Sequence, residues 1–391
     1  MNYYEEALKL HEAHRGKIQV ASKVKLENRD DLSIAYTPGV AEPCKKIAED
    51  KKDVYQYTSK GNLVGVVSDG TAVLGLGDIG AEAAIPVMEG KAILFKQFAG
   101  VDAFPICLDT KDTEEIIKAV KQIAPVFGGI NLEDIASPKC FEIERRLEEE
   151  LDIPVFHDDQ HGTAIVVTAA LMNALKVVGK NMEDIKVVLN GPGSAGTAII
   201  KMLLEAGVKN VVACDENGIL YKGRGVGIAD HKEMLCGITN REGQKGDLAD
   251  ALAGADVFIG VSVGGALKPE MIRAMNHSPI VFAMANPVPE ILYDEAMTAG
   301  VKVMGTGRSD FPNQINNVLA FPGIFRGALD VGARDINYDM KLAAAQAIAE
   351  LVEPEKLCAS YIIPSALDPR VAKHVAEKVG EAAKRSGAIR K

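Results

Sequence analysis

Lys186-Val-Val-Leu-Asn-Gly-Pro-Gly-Ser-Ala-Gly-Thr-Ala-Ile-Ile-Lys-Met-Leu-Leu-Glu-Ala206 passes from a short apolar run, through three glycines, into a run with helical periodicity. The predicted strand is 186–190 and the predicted helix 195–206. Gly191, Gly193 and Gly196 have G-x-G-x-x-G spacing, and a second apolar run, 210–214, ends at Asp215 about twenty residues on. Strand, glycine turn, helix, strand and acid in this order describe a dinucleotide-binding unit. The glycines let the backbone approach a pyrophosphate, and the helix start at Ser194 and Ala195 aims free N–H groups at it. A glycine turn serving packing alone would not need the acid. Asp215 suits the ribose hydroxyls of NAD, which favours NAD slightly over NADP. Glu216, Lys222, Arg224 and Lys232 stand close in sequence, and the cations among them could hold the 2′-phosphate of NADP.

Outward from this unit the pattern continues. Residues 163–178 read as a helix, and 256–261, 279–285 and 302–306 as short buried strands, which implies a parallel sheet covered on both faces. Before residue 157, helices at 113–123 and 137–151 mix with short strands and glycine-containing turns between Gly61 and Gly80, without a complete alternating pattern. From about Asn316 the chain is mainly helical, clearest at 339–351 and 369–386. The expected fold is α/β: a Rossmann-like doubly wound parallel-sheet domain at 158–315, and an α/β catalytic domain at 1–157 completed by C-terminal helices from 316–391.

A chain of 391 residues can fill two cores. Its net charge of −10 argues against nucleic acid or an anionic membrane as partner, so an anionic substrate would need positive charge gathered locally by a metal or buried Lys and Arg. Six scattered cysteines without a CxxC pair suit reduced thiols in a cytoplasmic protein. The charged, helix-patterned N-terminus does not read as a signal peptide. The most apolar stretch, 164–178, reads as too short to span a bilayer.

Two acidic pairs stand at element ends: Glu133-Asp134 after a strand, and Asp158-Asp159 where a short strand meets a helix start. Adjacent residues point apart inside an element, so two useful carboxylates are expected only at such places. Three hard oxygen ligands would suit Mg²⁺ or Mn²⁺, which chelates a 2-hydroxy or 2-oxo acid and acts as a Lewis acid. Solvated acidic turns with helix caps are the competing reading. His157 and His161 at i, i+4 resemble a zinc motif, but no third soft ligand is evident. Bonding of these rings to backbone or carboxylates is expected instead.

Seven segments in order carry a family resemblance: Ala35-Tyr-Thr-Pro-Gly-Val-Ala, Gly75-Leu-Gly-Asp-Ile-Gly, Glu89-Gly-Lys-Ala-Ile-Leu-Phe-Lys, Asn131-Leu-Glu-Asp, Phe156-His-Asp-Asp-Gln-His-Gly-Thr, Asn286-Pro and Asn316-Asn-Val-Leu-Ala-Phe-Pro-Gly. Over nearly its whole length the chain resembles the malic enzymes in their short bacterial form. The resemblance implies oxidative decarboxylation of malate to pyruvate and CO2 with reduction of NAD(P)⁺. It implies Glu133, Asp134 and Asp159 as metal ligands, Lys91 as the base that takes the hydroxyl proton, and Asp158 as its acidic neighbour. Tyr36 is implied as the proton donor to C3 of the enol, and Asn286 and Asn316 as contacts to the substrate carboxylate or the nicotinamide. A homodimer is implied as well. Beside a divalent cation the pKa of Lys91 is expected to fall. One position departs from the larger family members: Ala72 replaces an arginine that pairs with substrate carboxylate, which leaves Thr71, Ser68 or a partner-subunit residue as candidates. The competing functions are a malolactic-type conversion of malate to lactate and a non-catalytic dinucleotide sensor.

Overall fold

The computed structural model describes residues 2–225 and 227–390. Two parallel sheets organise it. The first has the order β2-β1-β3-β4, with β1 Leu63–Ser68, β2 Asp102–Cys107, β3 Gly129–Leu132 and β4 Val155–His157. All its pairings are parallel. The second has the order β10-β9-β8-β5-β6-β7, with β5 Lys186–Asn190, β6 Asn210–Asp215, β7 Gly218–Ile219, β8 Val257–Gly260, β9 Ile280–Ala283 and β10 Val303–Thr306. Only the β6–β7 hairpin is antiparallel.

The first sheet corrects the expectation that the N-terminal region lacks an alternating pattern of its own. Its strands are short, and β2 holds Pro105, which fits an edge strand because proline cannot donate to the ladder. The strand order reverses at β1 in one sheet and at β5 in the other. In open α/β sheets such reversal points open a crevice at the carboxyl ends of the strands.

The Thr163–Val178 helix lies between the sheets, and the largest core joins Val64 and Val66 of β1 to Val187 and Leu189 of β5 through it. With the turn before it, this helix makes a 21-residue run at Asp158–Val178, long and apolar enough by composition to cross a bilayer, contrary to the expected shortfall. Its most apolar window is 67% buried within the protein, as in a core helix.

The C-terminal helices pack on two parts of the molecule. Phe321 and Phe325 of the Phe321–Asp330 helix meet Phe95 of the Ala81–Ala99 helix edge-on, with ring centroids 4.9 and 5.4 Å apart. The Tyr338–Glu350 helix instead packs on Thr163–Val178, where Asn173 Nδ2 donates to Ala349 O at 2.9 Å. The terminal segment therefore completes the middle of the molecule as well as the first sheet.

Candidate active site

Lys91 points from the Ala81–Ala99 helix into the crevice at the carboxyl ends of β3 and β4. Its Nζ donates to Asp158 Oδ2 at 2.6 Å and lies 2.8 Å from Glu133 Oε1. The ammonium also sits 4.2 Å from the centroid of Phe321, which closes one side of it. Asp158 Oδ2 accepts a second bond, from Asn317 Nδ2 at 2.5 Å. Asn131 Nδ2 holds the other oxygen of Glu133 at 2.9 Å.

Next to this pair one ligand oxygen from each of Glu133, Asp134 and Asp159 lies within 4.8 Å of the other two. The backbone enforces the gathering. Asp134 adopts a left-handed φ of 53°, which Asp tolerates, and its N–H donates to Asp159 Oδ2 at 2.8 Å. Asp134 Oδ2 is buried without a hydrogen-bond partner. Burial, together with Asp159 and Glu133, pushes the Asp134 carboxyl up to about 9. Burial likewise raises Glu133, and it raises Asp158 to about 7 against the pull of Lys91. Three crowded carboxylates with an orphaned buried oxygen fit a hard divalent cation.

In the protein without a cation, burial alone would lower the pKa of Lys91, but Asp158, Glu133 and Asp159 hold the ammonium well above its ordinary value.

Asp158 and Asp159 occupy a single wide turn, Asp158–Gly162, with π-helical geometry that runs directly into Thr163–Val178. Such turns are rare and concentrate at functional sites. His161 Nε2 bonds Glu144, as anticipated, at 3.1 Å. His157 does not follow that expectation: both ring nitrogens are buried without a partner, and Nδ1 lies 3.7 Å from Asp159 Oδ2.

The Ser194–Glu205 helix, which follows the glycine loop, packs against this turn, so the dinucleotide unit and the carboxylates adjoin. The glycines divide by role. A Cβ on Gly191, at φ 98°, would meet Val261 O at 2.6 Å, and one on Gly196 would meet Gly191 O at 2.1 Å, so both serve close backbone packing. A Cβ on Gly193 would meet nothing within 4 Å, which leaves the approach to the helix start open. Ser194 Oγ lies 3.6 Å from Cys140 Sγ, and Ala195 follows in the first turn. Glu290, fully buried, accepts from Ser262 N and Ala285 N and so ties together the ends of β8 and β9 beside the loop.

Asp215 does not present a free carboxylate. Arg224 grips both oxygens at 2.8 and 2.6 Å, and Lys232 Nζ lies 2.7 Å from Oδ2. Asn286 is exposed, and its side chain donates to Met284 O at 3.3 Å. Asn316 caps the 317–319 turn through Val318 N, while the contact to Asp158 comes from its neighbour Asn317. Tyr36 is 67% exposed at the end of the Arg29–Ala35 helix, and its hydroxyl bonds none of the described residues. Thr71 is engaged within its own turn: its hydroxyl donates to Asp69 at 2.6 Å and accepts from Ala136 N at 3.0 Å. Ser68 Oγ accepts from Gly70 N. Asn131 and Asn317 lie inside segments that carry the resemblance, but no role is read for them there; Glu144 and Glu290 carry no motif that separates them from surface acids in a single sequence.

The family model for the malic enzyme N-terminal domain matches residues 15–115 and 110–148, and that for the malic enzyme NAD binding domain matches residues 160–384. The chain is 60% identical over 390 residues to the bifunctional malic/malolactic enzyme of Bacillus subtilis, covering all of this chain and 95% of that one. It is 62% identical over 376 residues to the NAD-dependent malic enzyme of Geobacillus stearothermophilus, covering 96% of this chain and 78% of the relative. Among solved structures, the malic enzyme from Pyrococcus horikoshii superposes with a TM-score of 0.94 at 53% identity, over 99% of this chain and 92% of that one. The chain belongs to the malic enzyme family.

Proposed function

We infer that this enzyme oxidises L-malate with NAD(P)⁺ and decarboxylates the product to pyruvate and CO2. The observation that carries the reading is the convergence of Glu133, Asp134 and Asp159 beside the Lys91–Asp158 pair, with Asp158 and Asp159 on the turn against which the dinucleotide helix packs. These three carboxylates would hold Mg²⁺ or Mn²⁺, and the bound ion would polarise the substrate's C2 oxygen. Lys91 takes the hydroxyl proton as hydride leaves C2. Asp158, held in turn by Asn317, orients the amine. Charge drawn from Glu133 towards a cation loosens its grip on Lys91, which is what a base requires. Tyr36 returns a proton to C3, and Asn286 and Asn316 contact the substrate or the nicotinamide.

We assign 1–157 and 316–391 to the catalytic part and 158–315 to dinucleotide binding, and we place the enzyme in the cytoplasm as a homodimer. The helices Tyr3–His14, Arg29–Ala35 and Ala41–Glu49 contain no buried residue and expose Leu8, Leu32 and Ile34, which supports a second copy covering them. The test is malate-dependent NAD(P)H formation with and without Mn²⁺, with pyruvate measured as product. Malate turnover that yields oxaloacetate without pyruvate rejects the decarboxylation. The name of the Bacillus subtilis relative favours a second reading, lactate formation as an additional activity, which lactate assay under the same conditions decides.

Two predictions arise here. Because a metal ligand must be deprotonated, a carboxyl near 9 makes cation binding climb with pH, by about tenfold per unit below that value. Asp134→Asn keeps the left-handed backbone available, removes the charge, and is expected to weaken Mn²⁺ binding by at least about tenfold to a hundredfold while flattening that pH slope. Titration of Mn²⁺ at pH 6.5, 7.5 and 8.5 checks both. The second concerns Asp215, which neutralises Arg224 and Lys232. Asp215→Ala is expected to shift the kcat/KM ratio of NADP to NAD upward by about tenfold, since a 2′-phosphate gains two cations and a ribose loses its acceptor. A ratio that stays put removes Asp215 from cofactor choice.

A further inference from the structure

On the Lys139–Glu150 helix, Cys140, Ile143 and Leu147 form the buried face, and Glu144 sits among them, 5% exposed. A carboxylate survives there only if its oxygens are satisfied. All the hydrogen bonds that satisfy it come from one short segment. Oε1 accepts the backbone N–H of His157 at 2.8 Å, and Oε2 accepts from Gln160 Nε2 at 3.0 Å. His161 Nε2 lies 3.0 Å from Oε1 and 3.1 Å from Oε2. His157 immediately precedes the wide turn, and Gln160 and His161 lie within it. The same turn carries Asp158, the partner of Lys91, and Asp159, one of the three gathered carboxylates. A wide turn has poor local support of its own, so an external acceptor that bonds its start and its far side sets its shape.

We propose that Glu144 is a positioning residue of this enzyme, a strut that fixes the 157–161 turn and thereby places Asp159 for the cation and Asp158 for Lys91. It touches neither substrate nor cofactor and acts through the turn alone. The inference rests on reading Glu133, Asp134 and Asp159 as the cation site. Glu144→Gln has the same shape but exchanges one acceptor oxygen for a donor, which then faces the N–H of His157 or Gln160 Nε2, donor against donor. Glu149, exposed on the same helix and paired with Arg145, makes no hydrogen bond to the turn, so Glu149→Gln controls for the loss of a helix carboxylate.

The experiment measures Mn²⁺ binding directly, from the EPR signal of free Mn²⁺, together with kcat, the KM for malate and dinucleotide affinity. In E144Q, Mn²⁺ binding weakens by about 10–100-fold and kcat falls even at saturating Mn²⁺, while dinucleotide affinity stays within about twofold. In E149Q, Mn²⁺ binding stays within about twofold of wild type. Mn²⁺ binding unchanged in E144Q, or shifted equally in E149Q, overturns the strut. Should E144Q fail to fold, Gln160→Met removes one bond of the three and weakens Mn²⁺ binding in the same direction; no change there overturns the inference. Wild-type protein that binds no Mn²⁺ overturns the cation site and this inference together, whereas a wild type that binds and an indifferent E144Q overturn the strut alone.

Discussion

Lys91→Ala is expected to reduce malate-dependent NAD(P)H formation by about 10²–10⁴-fold, the usual contribution of a positioned general base, while dinucleotide binding is retained. The geometry explains why no neighbour takes over. The groups facing the amine are Asp158 and Glu133, and both are tied elsewhere, to Asn317 and Asn131. His157 and His161 lie on the same segment, but His161 is occupied by Glu144, and His157 Nδ1 lies against Asp159 rather than Lys91. The loss falls on one chemical step. Oxaloacetate has no C2 hydroxyl proton to lose, so its decarboxylation should suffer less in this variant than malate oxidation does. Removing the ammonium leaves two buried carboxylates without their cation, which costs about 3–5 kcal/mol if they stay charged. With burial already raising Asp158 to about 7 and lifting Glu133 as well, they can take up protons instead, and the fold should persist. Isothermal titration calorimetry with NADH tests that retention. Equal losses for malate and oxaloacetate would move Lys91 out of the hydroxyl-deprotonation step.

What could be read from the sequence follows element length and local autonomy. Thr113–Ile123 and Thr163–Val178 match their expected bounds, because long periodic runs with caps or a terminal glycine carry their own signal. The Gly191–Gly196 loop was legible because strand, turn and helix are contiguous. The first sheet was not: β3 has four residues and β4 three, and their partners lie far away along the chain. At the site, the acidic pairs were marked by their place at the ends of strands, whereas Glu144 is hidden in Cys-Phe-Glu-Ile-Glu-Arg-Arg-Leu, a run that reads as an ordinary solvated face. Its burial is set by β4 and the wide turn, not by its own helix. Asn316 and Asn317 are indistinguishable by type, and only tertiary placement selects the second for Asp158. The pairing of Asp215 is likewise tertiary, since Arg224 and Lys232 reach it from beyond the β6–β7 hairpin.

Gly162→Ala sets two effects of opposite sign against each other. Gly162 has an ordinary helical backbone, φ −60° and ψ −46°, where alanine is favoured over glycine by about 1 kcal/mol. By propensity alone the change stabilises. A Cβ at this position, however, would stand 1.9 Å from Asp158 Oδ1 and 2.9 Å from its Cγ. Relief requires movement of more than about 1 Å, and the Asp158 side chain has nowhere to go. It is fully buried, with Oδ2 fixed between Lys91 and Asn317, and Asn317 Cβ would itself lie 3.2 Å from the new methyl. The clash therefore wins, with about 1–3 kcal/mol of overpacking. Its larger effect is on rate, because a displacement of about 1 Å at a reacting group costs about 10²-fold in turnover. Gly237→Ala supplies the comparison: Gly237 lies within the Asp230–Ile238 helix, and a Cβ there meets nothing within 4 Å. That variant should melt at the wild-type temperature or slightly above it and turn over malate normally. If Gly162→Ala keeps full kcat, Asp158 does not need its observed position, and its role in orienting Lys91 falls.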